Sequence, residues 1–161
     1  NNHNGTYEAS AVGEVNVVDL MKKNNAIIGG EGNGGIIYPE SHYGRDSLVG
    51  VALFLTHLAN KKMSVSALRA SYPEYYMSKN KIELTPQIDV DAILVAMTEK
   101  YKNEDITTID GVKIDFATEW VHLRKSNTEP IIRIYTEAPS QAKADTLALR
   151  IIDEIKAVAG I

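Results

Sequence analysis

Apolar positions along the chain follow two regimes, which meet near Pro73. Residues 1–10 are polar and without period. Val12, Val15, Val17, Val18, Leu20 and Met21 then predict a short helix that closes at Lys23-Asn24-Asn25. Ala26-Ile27-Ile28 predicts a brief strand, and Ile36-Ile37-Tyr38 a second one stopped by Pro39. Between them lies Gly29-Gly30-Glu31-Gly32-Asn33-Gly34-Gly35, with five glycines in seven residues. Asp46 can cap a helix running to about Asn60. That helix is apolar nearly all round, so burial against more than one element is expected. A further helix can start at Ser64 and must end before Pro73.

Beyond Pro73, Tyr75 to Leu84 reads as an extended segment. Asp89 can cap a helix carrying Val90, Ile93, Leu94 and Met97. Asp110-Gly111 marks a turn. Three alternating strands follow, around Val112–Phe116, Trp120–Arg124 and Ile131–Tyr135. Ser140 can cap a last helix with Ala144, Leu147, Ile151, Ile155 and Val158 on one stripe. The order β-α-β-β-β-α predicts a small α+β domain with an antiparallel sheet and helices on one face. Residues 1–73 offer too little sheet to close a core of their own, which suggests the tail of a larger protein.

Composition narrows the classes. With 44% hydrophobic and 24% charged residues the chain is globular, and no apolar run of 18 residues spans a membrane. There is no cysteine, hence no disulfide framework and no thiol nucleophile, which fits a reducing, cytoplasmic setting. The chain starts at Asn1 without a signal-like segment and reads as a processed or excised piece. Asn4-Gly5-Thr6 matches a glycosylation acceptor, a triplet common by chance. A net charge of −4 disfavours a broad nucleic-acid surface, and only Trp120 and Tyr135 offer stacking rings on the outer strand faces. Neither a nucleic acid nor a membrane is expected as a partner.

Two loops can carry chemistry. Gly30-x-Gly32-x-x-Gly35 formally matches a dinucleotide fingerprint, but that mechanism needs a helix opening at the third glycine. A β-type run and a proline follow instead. A plain hairpin turn needs fewer glycines. Glu31 offers acceptors and Asn33 both donors and acceptors, a set that suits sugar hydroxyls. The second loop is Arg124-Lys125-Ser126-Asn127-Thr128-Glu129-Pro130, with Arg133 beyond it. Guanidinium, hydroxyl, amide and backbone N–H groups converge there, the donors a phosphate monoester takes. The bland alternative is a solvated turn. No two histidines stand at metal-ligand spacing, so no metal site is assigned.

The glycine loop resembles the sugar-binding loop of the alpha-D-phosphohexomutases, and Arg124-x-Ser126-Asn127-Thr128-Glu129-Pro130 resembles their C-terminal phosphate-binding loop. The resemblance covers essentially the whole chain and points to phosphoglucosamine, phosphoglucose and phosphomannose mutases. It implies an α/β partial domain, residues 1–73, forming the second half of a third domain. Residues 74–161 would be the fourth, α+β domain. In that family four loops meet in one cleft. A phosphoserine donates its phosphoryl group, magnesium polarises it, and a hexose 1,6-bisphosphate intermediate reorients before phosphate returns. The resemblance gives sugar contacts to Glu31 and Asn33, and phosphate contacts to Arg124, Ser126, Asn127, Thr128 and Arg133. This chain carries neither the phosphoserine motif nor the aspartate-rich magnesium loop, so alone it is expected to be inactive. Its implied partners are a hexose phosphate and the missing N-terminal domains.

One departure stands out: many members carry histidine where this chain has Gly35. His42 is read as exposed or structural, and His122 shares a strand face with Arg124. His3 and His57 are read as a tail and a helix residue. The competing reading is a non-catalytic phospho-ligand or protein-binding module, since fold does not settle function.

Overall fold

The computed structural model describes residues 5–83, 85, 88–126 and 129–161. Leu84, Asn127, Thr128, His3 and Asn4 of the acceptor triplet lie outside the described residues. The chain divides into two compact units, Asn1–Tyr72 and Pro73–Ile161. No helix among the described residues is long and apolar enough to cross a membrane.

In the first unit, α1 (Glu14–Asn24) ends on Asn25 in the left-handed conformation, φ 50°. β1 (Gly29–Gly30) pairs antiparallel with β2 (Ile36–Ile37). The strand expected at 26–28 is therefore displaced onto the glycines, and Ile27 and Ile28 are exposed. Packing explains the shift. A methyl group built on Gly29 would stand 2.1 Å from Met21 Sδ, and one on Gly30 2.3 Å from the Gly35 carbonyl oxygen. Only glycine backbone approaches α1 and the returning strand so closely. α2 (Ser47–Lys61) begins where Asp46 accepts from the N–H groups of Leu48 and Val49. α3 (Val65–Ala70) is capped by Ser64.

The expected burial of α2 is not met. None of its residues is buried, and Leu48, Val51, Phe54 and Leu55 face outward. The two-residue strands supply too little surface to cover an all-round apolar helix.

The second unit is a five-stranded antiparallel sheet in the order β3-β7-β6-β5-β4, packed under helices. Its elements are β3 (Tyr76–Glu83), α4 (Val90–Lys100), β4 (Asp105–Thr107), β5 (Val112–Asp115), β6 (Trp120–Lys125), β7 (Ile131–Ala138) and α5 (Gln141–Ala159). Asp89 and Ser140 cap α4 and α5. β4 is one strand more than the apolar pattern predicts. It is three residues long, Asp-Ile-Thr, and exists by pairing with β5 at the sheet edge. The core joins Ile82, Ile114, Leu123, Ile132 and Ile134 of the sheet to Met97, Leu147, Ile151 and Ile155 of the helices. Val158, expected on the buried stripe, is exposed, while Ala159 beside it packs against the core. Ile131, at the start of β7, is buried as well. The sheet face away from the core carries Lys81, Arg133, Arg124, His122 and Tyr135, none of them buried.

Candidate functional site: a glycine hairpin and an arginine pair

Glu31 to Gly34 form the turn of the first hairpin. Glu31 N–H donates to the Gly35 carbonyl and Gly34 N–H to the Glu31 carbonyl, each at 3.0 Å. Gly34 adopts φ +92°, a left-handed value that favours glycine. The helix that a dinucleotide site requires at Gly35 does not form, because β2 occupies that position. Asn33 Oδ1 accepts from Gly35 N–H at 2.9 Å, and Asn33 Nδ2 lies 3.5 Å from Glu31 Oε2. The hairpin thus brings Glu31 and Asn33 side by side. The Glu31 side chain is only 17% exposed, although the residues after it are open.

The chain then returns. Asp46 N–H donates to the Ile36 carbonyl at 2.9 Å, which sets the start of α2 beside the hairpin. A cavity of about 560 Å³ opens there, lined by Glu14, Asn33, Gly35, Arg45 and Asp46 among others. The N–H group of Val49 above all holds the Asp46 carboxyl below its usual range, helped by His42 and Leu48. His42 Nε2 sits 3.1 Å from Asp46 Oδ2, and its Nδ1 accepts from Gly44 N–H at 3.0 Å. His42 is therefore a clip across its own loop. His57, on α2, stands 3.4 Å from the Tyr72 hydroxyl.

In the second unit, β6 and β7 place Arg124 directly opposite Arg133, on the outer face. Lys81 of β3 is opposite Arg133 on the other side. Three cations thus stand in one row across the sheet. Arg124 Nε is held at 3.0 Å by Asp110 Oδ2 and at 3.1 Å by Oδ1. That contact engages Nε and leaves the two Nη groups to other partners. His122 Nε2 meets the Asp110 carbonyl, so the histidine steadies the same turn. Lys81 is itself paired with Glu83 at 2.9 Å, which raises the lysine pKa and lowers that of the glutamate. Ser126 N–H donates to the Ile131 carbonyl at 3.1 Å and closes the hairpin base beside Arg124.

Arg124, Ser126 and Arg133 are thus brought to one end of one hairpin, while Asn127 and Thr128 lie outside the described residues. Sequence reasoning missed Asp110 as the arginine's anchor and took Asp110-Gly111 for a turn only. The signal available was the Asp110-Gly111 pair itself, a tight-turn signature, and Gly111 does hold φ +74°. It also missed Arg45 and Glu14, which lie 31 positions apart and pair in the first unit. No spacing rule links such residues.

The first unit thus carries a glycine-bounded carboxylate and the second an arginine-bearing strand pair. The phosphoglucomutase/phosphomannomutase alpha/beta/alpha domain III matches residues 1–76, and the C-terminal domain of the same family matches residues 80–154. The chain belongs to the phosphoglucomutase/phosphomannomutase family. It is 37% identical over 158 residues to a phosphoglucosamine/phosphogalactosamine mutase of Sulfurisphaera tokodaii, covering 97% of this chain and 34% of that protein. It is also 37% identical over 146 residues to a phosphoglucomutase/phosphomannomutase of Thermococcus kodakarensis, covering 89% and 32%. The chain therefore spans about a third of the length of these curated relatives. A phosphoglucomutase/phosphomannomutase family protein of Burkholderia thailandensis superposes with a TM-score of 0.71 over 92% of this chain and 32% of its own, at 21% identity. That likeness shows the shared fold.

Proposed function

We propose that this chain is the phosphosugar-recognition part of a hexose phosphate mutase. The complete enzyme interconverts hexose 6-phosphate and hexose 1-phosphate by intramolecular phosphotransfer, through a phosphoserine and a hexose 1,6-bisphosphate. Residues 1–73 act as the C-terminal half of the sugar-binding domain and residues 74–161 as the phosphate-binding domain. The observation that carries the reading is the Arg124–Arg133 pair at the end of the β6–β7 hairpin. Two like charges facing each other across a ladder disfavour the empty sheet and favour a dianion bound to both.

The division of labour follows from the chemistry of each loop. Glu31 and Asn33 accept from and donate to sugar hydroxyls. Hydroxyls at the two ends of a hexose exchange places when the sugar turns over, so one short carboxylate–amide pair serves both orientations. Arg124, Ser126, Asn127, Thr128 and Arg133 hold the phosphate that is not reacting. Binding energy collected at that remote phosphate orients the reacting one. Among the described residues no group of three histidine, aspartate or glutamate side chains can hold a metal ion. Magnesium does not fit these residues. In the complete enzyme we assign it, with the phosphoserine, to the domains this chain lacks, and we assign the enzyme to the cytoplasm.

The test has two arms. Titration of this chain with glucose 6-phosphate, followed by amide NMR, should move resonances within 124–133 and leave α5 still. If those amides do not respond, the phosphate assignment fails. Turnover of glucose, mannose and glucosamine phosphates should require the complete protein. Conversion by the 161-residue chain alone would overturn the assignment of catalysis to other domains.

A further inference from the structure

Arg45 lies outside both loops that the proposed function uses, yet its side chain reaches the glycine hairpin. Its backbone N–H donates to Glu14 Oε1 at 3.1 Å, and its Nε donates to Glu14 Oε2 at 2.8 Å. One carboxylate from the first turn of α1 therefore fixes both the backbone and the head group of the arginine. The stem between them rests on Gly35. A methyl group built there would stand 2.7 Å from Arg45 Cδ and 3.3 Å from Cγ. With Nε turned to Glu14, Nη1 comes to 3.9 Å from Glu31 Oε2. That same oxygen lies 3.5 Å from Asn33 Nδ2. The Glu31 carboxylate is thus approached from two sides by donors.

We propose that Arg45 is the positioning residue for Glu31, with Glu14 setting Arg45 and Gly35 leaving room for its stem. The inference rests on the reading of Glu31 as a sugar-contacting carboxylate. At 3.9 Å the Arg45–Glu31 pair is an ion pair rather than a hydrogen bond. The carboxylate lone pairs stay available to hydroxyls, while the charge restricts which way the side chain points. An acceptor ordered before the ligand arrives spares the complex that ordering entropy. Arg45 also stands between two carboxylates, Glu14 and Glu31, and neutralises the repulsion that would turn Glu31 away.

The experiment is a double-mutant cycle in the complete mutase that carries this chain, reading kcat and KM for a hexose phosphate in R45A, E31A and R45A/E31A. R45A should lower kcat/KM about 10-fold, and add less than about 2-fold once Glu31 is gone. R45K should recover little, because an ammonium cannot hold Glu14 through Nε and reach Glu31 together. E14Q should reproduce part of the loss from α1. An equal loss from R45A in both backgrounds would overturn the proposal, since Arg45 would then act without Glu31. If R45A no longer melts cooperatively, R45Q runs the same cycle under the same criterion. Should E31A alone leave turnover and KM unchanged, the sugar-contact reading falls and takes this proposal with it.

Discussion

Arg124 and Arg133 stand directly opposite each other across the β6–β7 ladder, and among the described residues Arg124 alone of the two has a carboxylate, Asp110, against its Nε. Arg133 has a second cation, Lys81, opposite on β3. Like charges at such positions destabilise a sheet by about 0.2–1 kcal/mol. Arg133→Gln should therefore raise the melting temperature of the second unit by about 1–6 °C in phosphate-free buffer. The same change should weaken phosphate binding. A thermal melt with and without phosphate reads both, and the stabilising effect should shrink or reverse when phosphate is present.

Arg124→Ala should behave differently. It removes a cation but leaves Asp110 without its guanidinium, so no stabilisation is expected. A charge-assisted hydrogen bond contributes about 1.5–3 kcal/mol. In the complete enzyme the loss should lower kcat/KM about 10- to 150-fold, read as lost transition-state stabilisation. Steady-state kinetics on hexose phosphates measure it.

Gly111 should matter to phosphate binding without any side chain of its own. It holds φ +74°, and a methyl group there would stand 2.1 Å from the Leu123 carbonyl oxygen on the neighbouring strand. Gly111→Ala must push the start of β5 away from β6, carrying Asp110 with it. Destabilisation by more than about 1 kcal/mol is expected, together with weaker phosphate affinity. Calorimetric melting and a phosphate titration of the variant test both consequences.

What the sequence disclosed, and what it hid, follows from range. Caps are local: Asp46, Ser64, Asp89 and Ser140 each bond N–H groups two or three residues on, and each marks its helix correctly. Alternation is local as well, so β5, β6 and β7 were legible. β4 was not, because three residues at an edge carry no period and depend on β5. The first strand of the glycine hairpin moved from 26–28 onto the glycines, because only a residue without a side chain can approach Met21 as Gly29 does, whereas its partner strand formed at Ile36–Ile37 as expected. The site shows the same divide. The two loops are contiguous in sequence and were visible as chemistry. Asp110 on Arg124 and Glu14 on Arg45 are pairings made by the fold, 14 and 31 positions apart.

Asp46 gives an acid-side test. Its carboxyl is held below the usual value of 3.8, first by the Val49 N–H and also by His42 and Leu48. A depressed folded pKa adds stability that is present above the unfolded value and is lost as pH falls through the folded one. Helix α2 should therefore loosen as the medium is acidified below about pH 4. Asp46→Asn keeps an acceptor for the cap but cannot titrate. Its melting temperature should fall less steeply over that interval, by circular dichroism at a series of pH values.

Tyr101 gives the alkaline counterpart in the second unit. Its hydroxyl donates to Glu154 Oε2 at 2.8 Å, and its ring meets Phe116 edge-on with centroids 5.6 Å apart. Burial foremost, then the Glu154 carboxylate, push its pKa from 10.0 up to about 12. Here the folded value is raised, so the neutral phenol is the favoured form. The associated stability is complete below pH 10 and is lost as pH climbs through about 12. Tyr101→Phe retains the ring contact and removes both the hydrogen bond and the titration. It should lose about 1 kcal/mol at neutral pH, less than the about 1.5–3 kcal/mol of a fully desolvated charge-assisted bond because the pair is partly solvated. Other tyrosines and lysines titrate alike in both proteins, so the difference between the two pH–stability curves isolates Tyr101. That difference should narrow between pH 10 and 12; parallel curves would mean that the phenol is ordinary in the folded state.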